Sequence, residues 1–279
     1  MIKYTKKEIK KEWEEISKEP NLIYRNGEKI FNYKGSLKDE LDTYYFEYIS
    51  KLMLDDFKTI KSIGKDTEKI RKDNSFNMDH DGISDTTKRL KKYDCIKFDE
   101  KTFAIALFNS ECRFSFGKIF DYEIPLKDKK QSYVGKVDLL SKKNKEVNVI
   151  ELKIRHCYKG ETLLRAIVEA FTFTKILNNR KEKLIEDYKL EQDITLRPVI
   201  LTMSDSFCSK NMEGLEKGEI SYQKKLIIKM NEHLDDVGVL PFRFYSIKCE
   251  EPCLEQNDEG KIKFKEPSFV ESKIVEYAY

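Results

Sequence analysis

Two acids and an amine near the middle of the chain have the residue types and spacing for hydrolytic chemistry. Val134-Gly-Lys-Val-Asp138-Leu-Leu is followed, after a polar turn, by Val149-Ile-Glu151-Leu-Lys153-Ile-Arg155. Side chains on a strand alternate faces, so Val149, Glu151, Lys153 and Arg155 share one face of the second segment, and Asn148, Ile150, Leu152 and Ile154 the other. A hairpin closing around Asn144 and Lys145 sets Leu139 opposite Ile150, Leu140 opposite Val149 and Val137 opposite Leu152. Asp138 then lies across from Glu151, with Cα atoms about 4.5–5.5 Å apart. Two carboxylates that close resist joint ionisation unless a cation sits between them. Oxygen-only ligation suits Mg²⁺, or Mn²⁺, with the Leu152 carbonyl as a further oxygen. Lys153, on the same face, could hold or deprotonate the attacking water and offset charge on a pentacoordinate phosphorane. Lys136 and Arg155 share that face and could contact phosphates. The chemistry such a set can do is metal-assisted phosphodiester hydrolysis.

The elements that must position these residues follow from local pattern. Strand-like runs cover 118–127, 134–141 and 148–155, then a helix spans about 161–177 and a further strand 196–203. A charged helix over about 215–233 leads to another strand at 242–249. Hairpins followed by helical crossovers predict an α/β fold with a central mixed β-sheet flanked by helices. Residues 1–110 read as a mainly helical accessory region, including an amphipathic helix over 39–60 with Tyr45, Tyr48, Ile49 and Leu52 at helical spacing. Residues 111–250 form the expected core, and 251–279 an extension packed on it. On the helix over 161–177, Leu164, Ile167, Val168 and Phe171 make a packing face, while Glu161, Arg165 and Glu169 recur every fourth position on another.

G-x-x-D followed after a short spacer by E-x-K, on adjacent strands and then a helix, resembles the PD-(D/E)XK nuclease superfamily. The matching residues are Gly135, Asp138, Glu151 and Lys153, and the resemblance spans about 118–203. It implies a restriction-endonuclease-like core and a Mg²⁺-dependent nuclease acting on nucleic acid, with DNA the expected substrate. Asp138 and Glu151 would hold the metal and Lys153 would serve the water. Val137 stands where the superfamily's name has Pro, and Glu169 and Phe173 stand where many relatives carry a Gln with a Tyr four residues later. Relatives often add an upstream acid, for which Glu123 and Glu47 are the candidates, and Arg165 and Glu169 are candidate supporting residues. Some members are inactive and only bind or scaffold, which is the alternative reading. The bland one is a salt bridge decorating a half-exposed strand.

Composition excludes several other classes. The chain has 279 residues, with 53 Lys and Arg against 50 Asp and Glu, and a net charge of +3, so no large single-sign field marks a coating protein. The longest apolar stretch, 103–108, is far below the roughly 20 residues of a membrane span. Residues 1–15 lack the apolar core of a secretory signal, and six Cys are too sparse for a disulfide scaffold, so a cytoplasmic protein without a membrane partner is expected. The N-terminal region and the tail are expected to shape substrate access or dimerisation, a homodimer being the assembly considered. Asp79, Asp81, Gly82 and Asp85 sit at calcium-loop offsets, but Lys88 occupies the twelfth position, where a bidentate Glu is needed, so the segment reads as a surface loop. His80, His156 and His233 are dispersed without zinc spacing.

Overall fold

Asn144 and Lys145 close a two-residue hairpin, with Lys143 paired to Glu146 across it. Asn144 takes a left-handed φ of 56°, a conformation that its short polar side chain tolerates. The computed structural model describes residues 4–65, 76–77, 79–93, 96–110, 114–126, 135–154, 161–204, 206–217, 221–249, 254–265 and 269–276.

The first part is helical: α1 (Lys6–Ile16), α2 (Ile23–Asn26), α3 (Glu28–Phe31), α4 (Tyr45–Asp55), α5 (Phe57–Ser62), α6 (Ile83–Tyr93) and α7 (Glu100–Asn109). Then come β1 (Lys118–Leu126), β2 (Gly135–Lys143), β3 (Glu146–Lys153), α8 (Leu163–Asn178), α9 (Lys181–Tyr188) and β4 (Thr195–Met203). The chain continues through α10 (Phe207–Lys217), α11 (Ser221–Asp236) and β5 (Arg243–Cys249) to β6 (Leu254–Gln256), β7 (Ile262–Phe264) and β8 (Phe269–Glu276).

The central sheet has the order β1-β2-β3-β4-β5-β8. β1, β2 and β3 are antiparallel neighbours, β3, β4 and β5 run parallel, and β8 is antiparallel to β5. The parallel joins need crossovers, which α8 with α9, and α10 with α11, supply. Strand alternation sorts the core into two layers. Val147 and Val149 face the layer that holds α8, α11 and the N-terminal helices, whereas Ile150, Leu152 and Ile154 face α7 and the β6–β7 hairpin. Helices α1 to α5 build no core of their own: Ile9, Trp13, Phe31 and Ile49 share one cluster with Val149 and Ile167.

Two expectations are corrected. The helix expected over 39–60 begins at Tyr45, because Leu37 N–H donates to Thr43 O at 2.9 Å and turns the chain first, leaving Leu41 64% exposed. The charged helix over 215–233 is replaced by two helices, α10 ending at Lys217 and α11 beginning at Ser221. The tail adds β8 to the sheet edge. The Asp-rich segment read as a surface loop is helical from Ile83 on: Asp81 accepts from Ile83 N–H at 2.9 Å and Ser84 N–H at 2.7 Å, binding the start of α6, and Asp85 within α6 accepts from Tyr122 Oη at 2.7 Å. These aspartates hold the fold together.

Candidate active site

β2 and β3 pair in the expected register from Lys143–Glu146 to Leu139–Ile150, and Asp138 is the next residue of β2 beyond that last pair. Asp138 Oδ2 accepts from the backbone N–H of Leu152 at 2.8 Å, which fixes the carboxylate against the strand carrying Glu151 and Lys153. Gly135 opens β2 because space allows nothing larger: a Cβ there would lie 2.4 Å from Tyr24 Oη and 2.7 Å from the Phe173 ring. Phe173 packs edge-on to Tyr24, with ring centroids 5.2 Å apart.

The other wall is the start of α8. Thr162 caps this helix, accepting from Arg165 N–H at 3.3 Å, while its hydroxyl donates to Phe31 O. Lys153 Nζ lies 2.5 Å from Glu151 Oε1 and 3.1 Å from Glu169 Oε2, and also pairs with Glu161. Arg165 closes the ring, 3.2 Å from both Glu161 and Glu169 and 3.5 Å from Glu28 of α3. Glu151 and Lys153 are each only 4% exposed, so they are not decoration on a half-exposed strand.

Four carboxylates, from Asp138, Glu151, Glu161 and Glu169, face two cations, Lys153 and Arg165. With all ionised, two negative charges are uncompensated in a buried place, a costly arrangement. Burial drives the Asp138 carboxyl well above the usual range against the pull of Lys153, with Glu100 adding to the rise. Glu151 is raised by burial, then by Asp138 and Glu169. Burial also pushes Glu169 up, but Lys153 and Arg165 outweigh it and hold the carboxyl below its ordinary value. Burial lowers Lys153, yet Glu151, Glu169 and Glu161 overcome it and keep the ammonium well above its ordinary range. No donor among the described residues reaches the buried Glu151 Oε2.

This donor set fits a hard dication in charge and chemistry: carboxylate oxygens, one buried and unpartnered, with two negative charges in surplus. Among the described residues, no three acidic, His or Cys side chains converge with ligand geometry, the Lys153 ammonium lying between Glu151, Glu161 and Glu169.

The remaining expected residues have other placements. Glu123, in a left-handed conformation at φ 51°, pairs with Lys136 at 2.7 Å, so Lys136 is held by a carboxylate while Glu123 also acts on Asp138. The Leu152 side chain is in the opposite core layer, while its backbone N–H donates to Asp138. Glu47 is placed at α11: its carboxylate accepts from Tyr222 N–H at 2.7 Å and Gln223 N–H at 3.2 Å, tying α4 to the first turn of α11. Arg155 lies outside the described residues, as does His156. Sequence reasoning missed Glu100 and Glu161. Glu161 was visible in the every-fourth-residue series of α8. Glu100 follows the helix cap Asp99, which accepts from Thr102 N–H, and no strand pairing or spacing links it to Asp138.

No family model, no curated protein and no solved structure matches the chain.

Proposed function

We propose that the protein is a divalent-cation-dependent nuclease of the PD-(D/E)XK type, hydrolysing phosphodiester bonds of nucleic acid, with DNA as the first substrate and Mg²⁺ or Mn²⁺ as cofactor. The observation carrying this reading is the acidic surplus of the part-buried Asp138 and the buried Glu151, on adjoining strands beside Lys153. Gly135-x-x-Asp138 and Glu151-x-Lys153 within a mixed sheet, followed by α8, support a restriction-endonuclease-like core.

Asp138 and Glu151 would hold the ion, and Glu169 would serve as a supporting acid. A bound ion supplies Lewis acidity toward a phosphate oxygen and acidifies a coordinated water. Lys153, kept protonated by its carboxylates, acts as a hydrogen-bond donor that orients water and offsets phosphorane charge, rather than as the base. Arg165 holds Glu161 and Glu169 in place.

The test is incubation of purified protein with linear DNA, circular DNA and RNA, in Mg²⁺, Mn²⁺ or chelator, beside Asp138→Asn and Lys153→Ala. Cation-dependent cutting lost in both variants is the expected result, and equal cutting by both overturns the assignment. The triple carboxylate hold on Lys153 favours one other reading, a catalytically inactive module that binds nucleic acid or scaffolds. Binding without cutting under every cation condition would select it.

A further inference from the structure

An acidic pocket repels a phosphodiester, so a strand approaching it needs a cation that the protein has not already neutralised. Lys153 and Arg165 each face several carboxylates, and Lys136 is held by Glu123. Lys34 differs: its ammonium rests 4.4 Å from the centroid of the Phe207 ring, and no carboxylate among the described residues lies within 4 Å of it.

The pair stands beside the candidate site. Lys34 follows α3, whose Glu28 reaches Arg165 and whose Phe31 carbonyl accepts from Thr162, so this segment lies against the start of α8. Phe207 opens α10, and the next residue, Cys208, directs its thiol to Glu161 O at 3.5 Å. The Cys208 thiol also lies in the fields of Lys153, Glu161 and Lys34. Both Lys34 and Phe207 are partly exposed, with one side of the ring packed against the core.

We infer that Lys34 and Phe207 form a strand-entry platform for single-stranded nucleic acid, Lys34 taking a phosphate next to the scissile one and Phe207 stacking its unpaired base. This rests on the nuclease reading and names its substrate class. A cation over a ring at a partly exposed site is weakly held. An arriving strand offers a replacement for both partners, phosphate for the ammonium and a base for the ring face. Stacking needs a base that is out of its duplex, which selects single strands or unpaired ends.

The test is equilibrium binding of the full chain, in Ca²⁺, to a fluorescein-labelled 20-mer of dT and to a 20-bp duplex. Wild type should favour the single strand by about tenfold or more, Phe207→Leu should lose that preference, and Phe207→Tyr should keep it. Lys34→Gln should weaken single-strand binding and shrink the salt slope by about 0.7, the loss of one phosphate contact. Unchanged melting temperatures keep Phe207→Leu a test of stacking, and the hydroxylated ring of Phe207→Tyr tests the same point with packing preserved. Equal affinity for both ligands, or a Phe207→Leu protein that binds as wild type does, overturns the platform while cation-dependent cutting stands. A wild type that neither binds nor cuts any nucleic acid overturns both readings together.

Discussion

Lys153 Nζ and Glu151 Oε1 are 2.5 Å apart on one strand face, yet the two residues are unequal members of the buried network. The lysine answers to Glu151, Glu161 and Glu169, whereas burial, Asp138 and Glu169 all oppose a charge on Glu151. Lys153→Met should therefore cost about 3–5 kcal/mol, since it strands carboxylates in the interior. Glu151→Gln should cost under about 1 kcal/mol, because it removes a charge the site opposes. Urea unfolding of the two variants checks the order, and a Glu151→Gln loss as large as the Lys153→Met loss would contradict it.

The acidic surplus also predicts a response to cations. Millimolar Mg²⁺ or Mn²⁺ should stabilise the fold, by about 2.7 kcal/mol at one hundred times the dissociation constant, and so raise the melting temperature. For a chain of this size that is several degrees, at roughly 2–4 °C per kcal/mol. Asp138→Asn should abolish most of the shift, and differential scanning fluorimetry with and without chelator reads it. A shift of equal size in Asp138→Asn would place the ion elsewhere.

Glu47 joins α4 to α11 by accepting two backbone N–H groups at the start of the later helix. Glu47→Ala should cost about 1–3 kcal/mol through loss of charge-assisted bonds at a helix terminus. Hydrogen exchange should quicken in the first turn of α11. Unaltered exchange there would mean that the contact adds little.

Gly135→Ala tests the crowding at the start of β2. The added methyl meets Tyr24 Oη and the Phe173 ring, so about 1–3 kcal/mol of overpacking is expected. Phe173→Leu in the same chain should recover much of it. Denaturant midpoints of the single and double variants give the coupling, and simple additivity would refute the clash.

His233 carries the pH prediction. Burial, then Lys175 and Lys61, push its imidazole down to about 4, against 6.5 for the unperturbed group. Between these values the unfolded chain binds the extra proton, so stability rises with pH from about 4 to 6.5 and falls on acidification through that window. Discounted for the side chain's partial exposure, the contribution is on the order of 1–2 kcal/mol. His233→Gln should flatten the slope of melting temperature against pH over pH 4.5–6.5. A slope identical to that of wild type would show that other groups set it.

The sheet's centre was legible because apolar alternation and residue matching act locally. Val147, Val149, Ile150 and Leu152 announce both faces of β3, and Leu139 and Leu140 can pair with them in one register only. The neighbourhood of Asp138, Glu151 and Lys153 follows from that register. Glu169 and Arg165 follow from helical spacing once α8 packs on β3. Glu100 and Glu47 were beyond reach, because their placement depends on how α7 and α4 dock, which no spacing in the chain encodes. The early start assigned to the 39–60 helix failed where a turn held by Leu37 and Thr43 outcompeted a helical pattern of apolar residues.

β8 lies antiparallel along β5 from Arg243 opposite Glu276 to Cys249 opposite Phe269. Its removal would bare a row of backbone donors and acceptors on β5, a template for pairing with any extended chain. Shortened versions ending before residue 269 would thus be prone to self-association and precipitation, so fusion partners are better attached at the amino end, with the carboxyl end left intact.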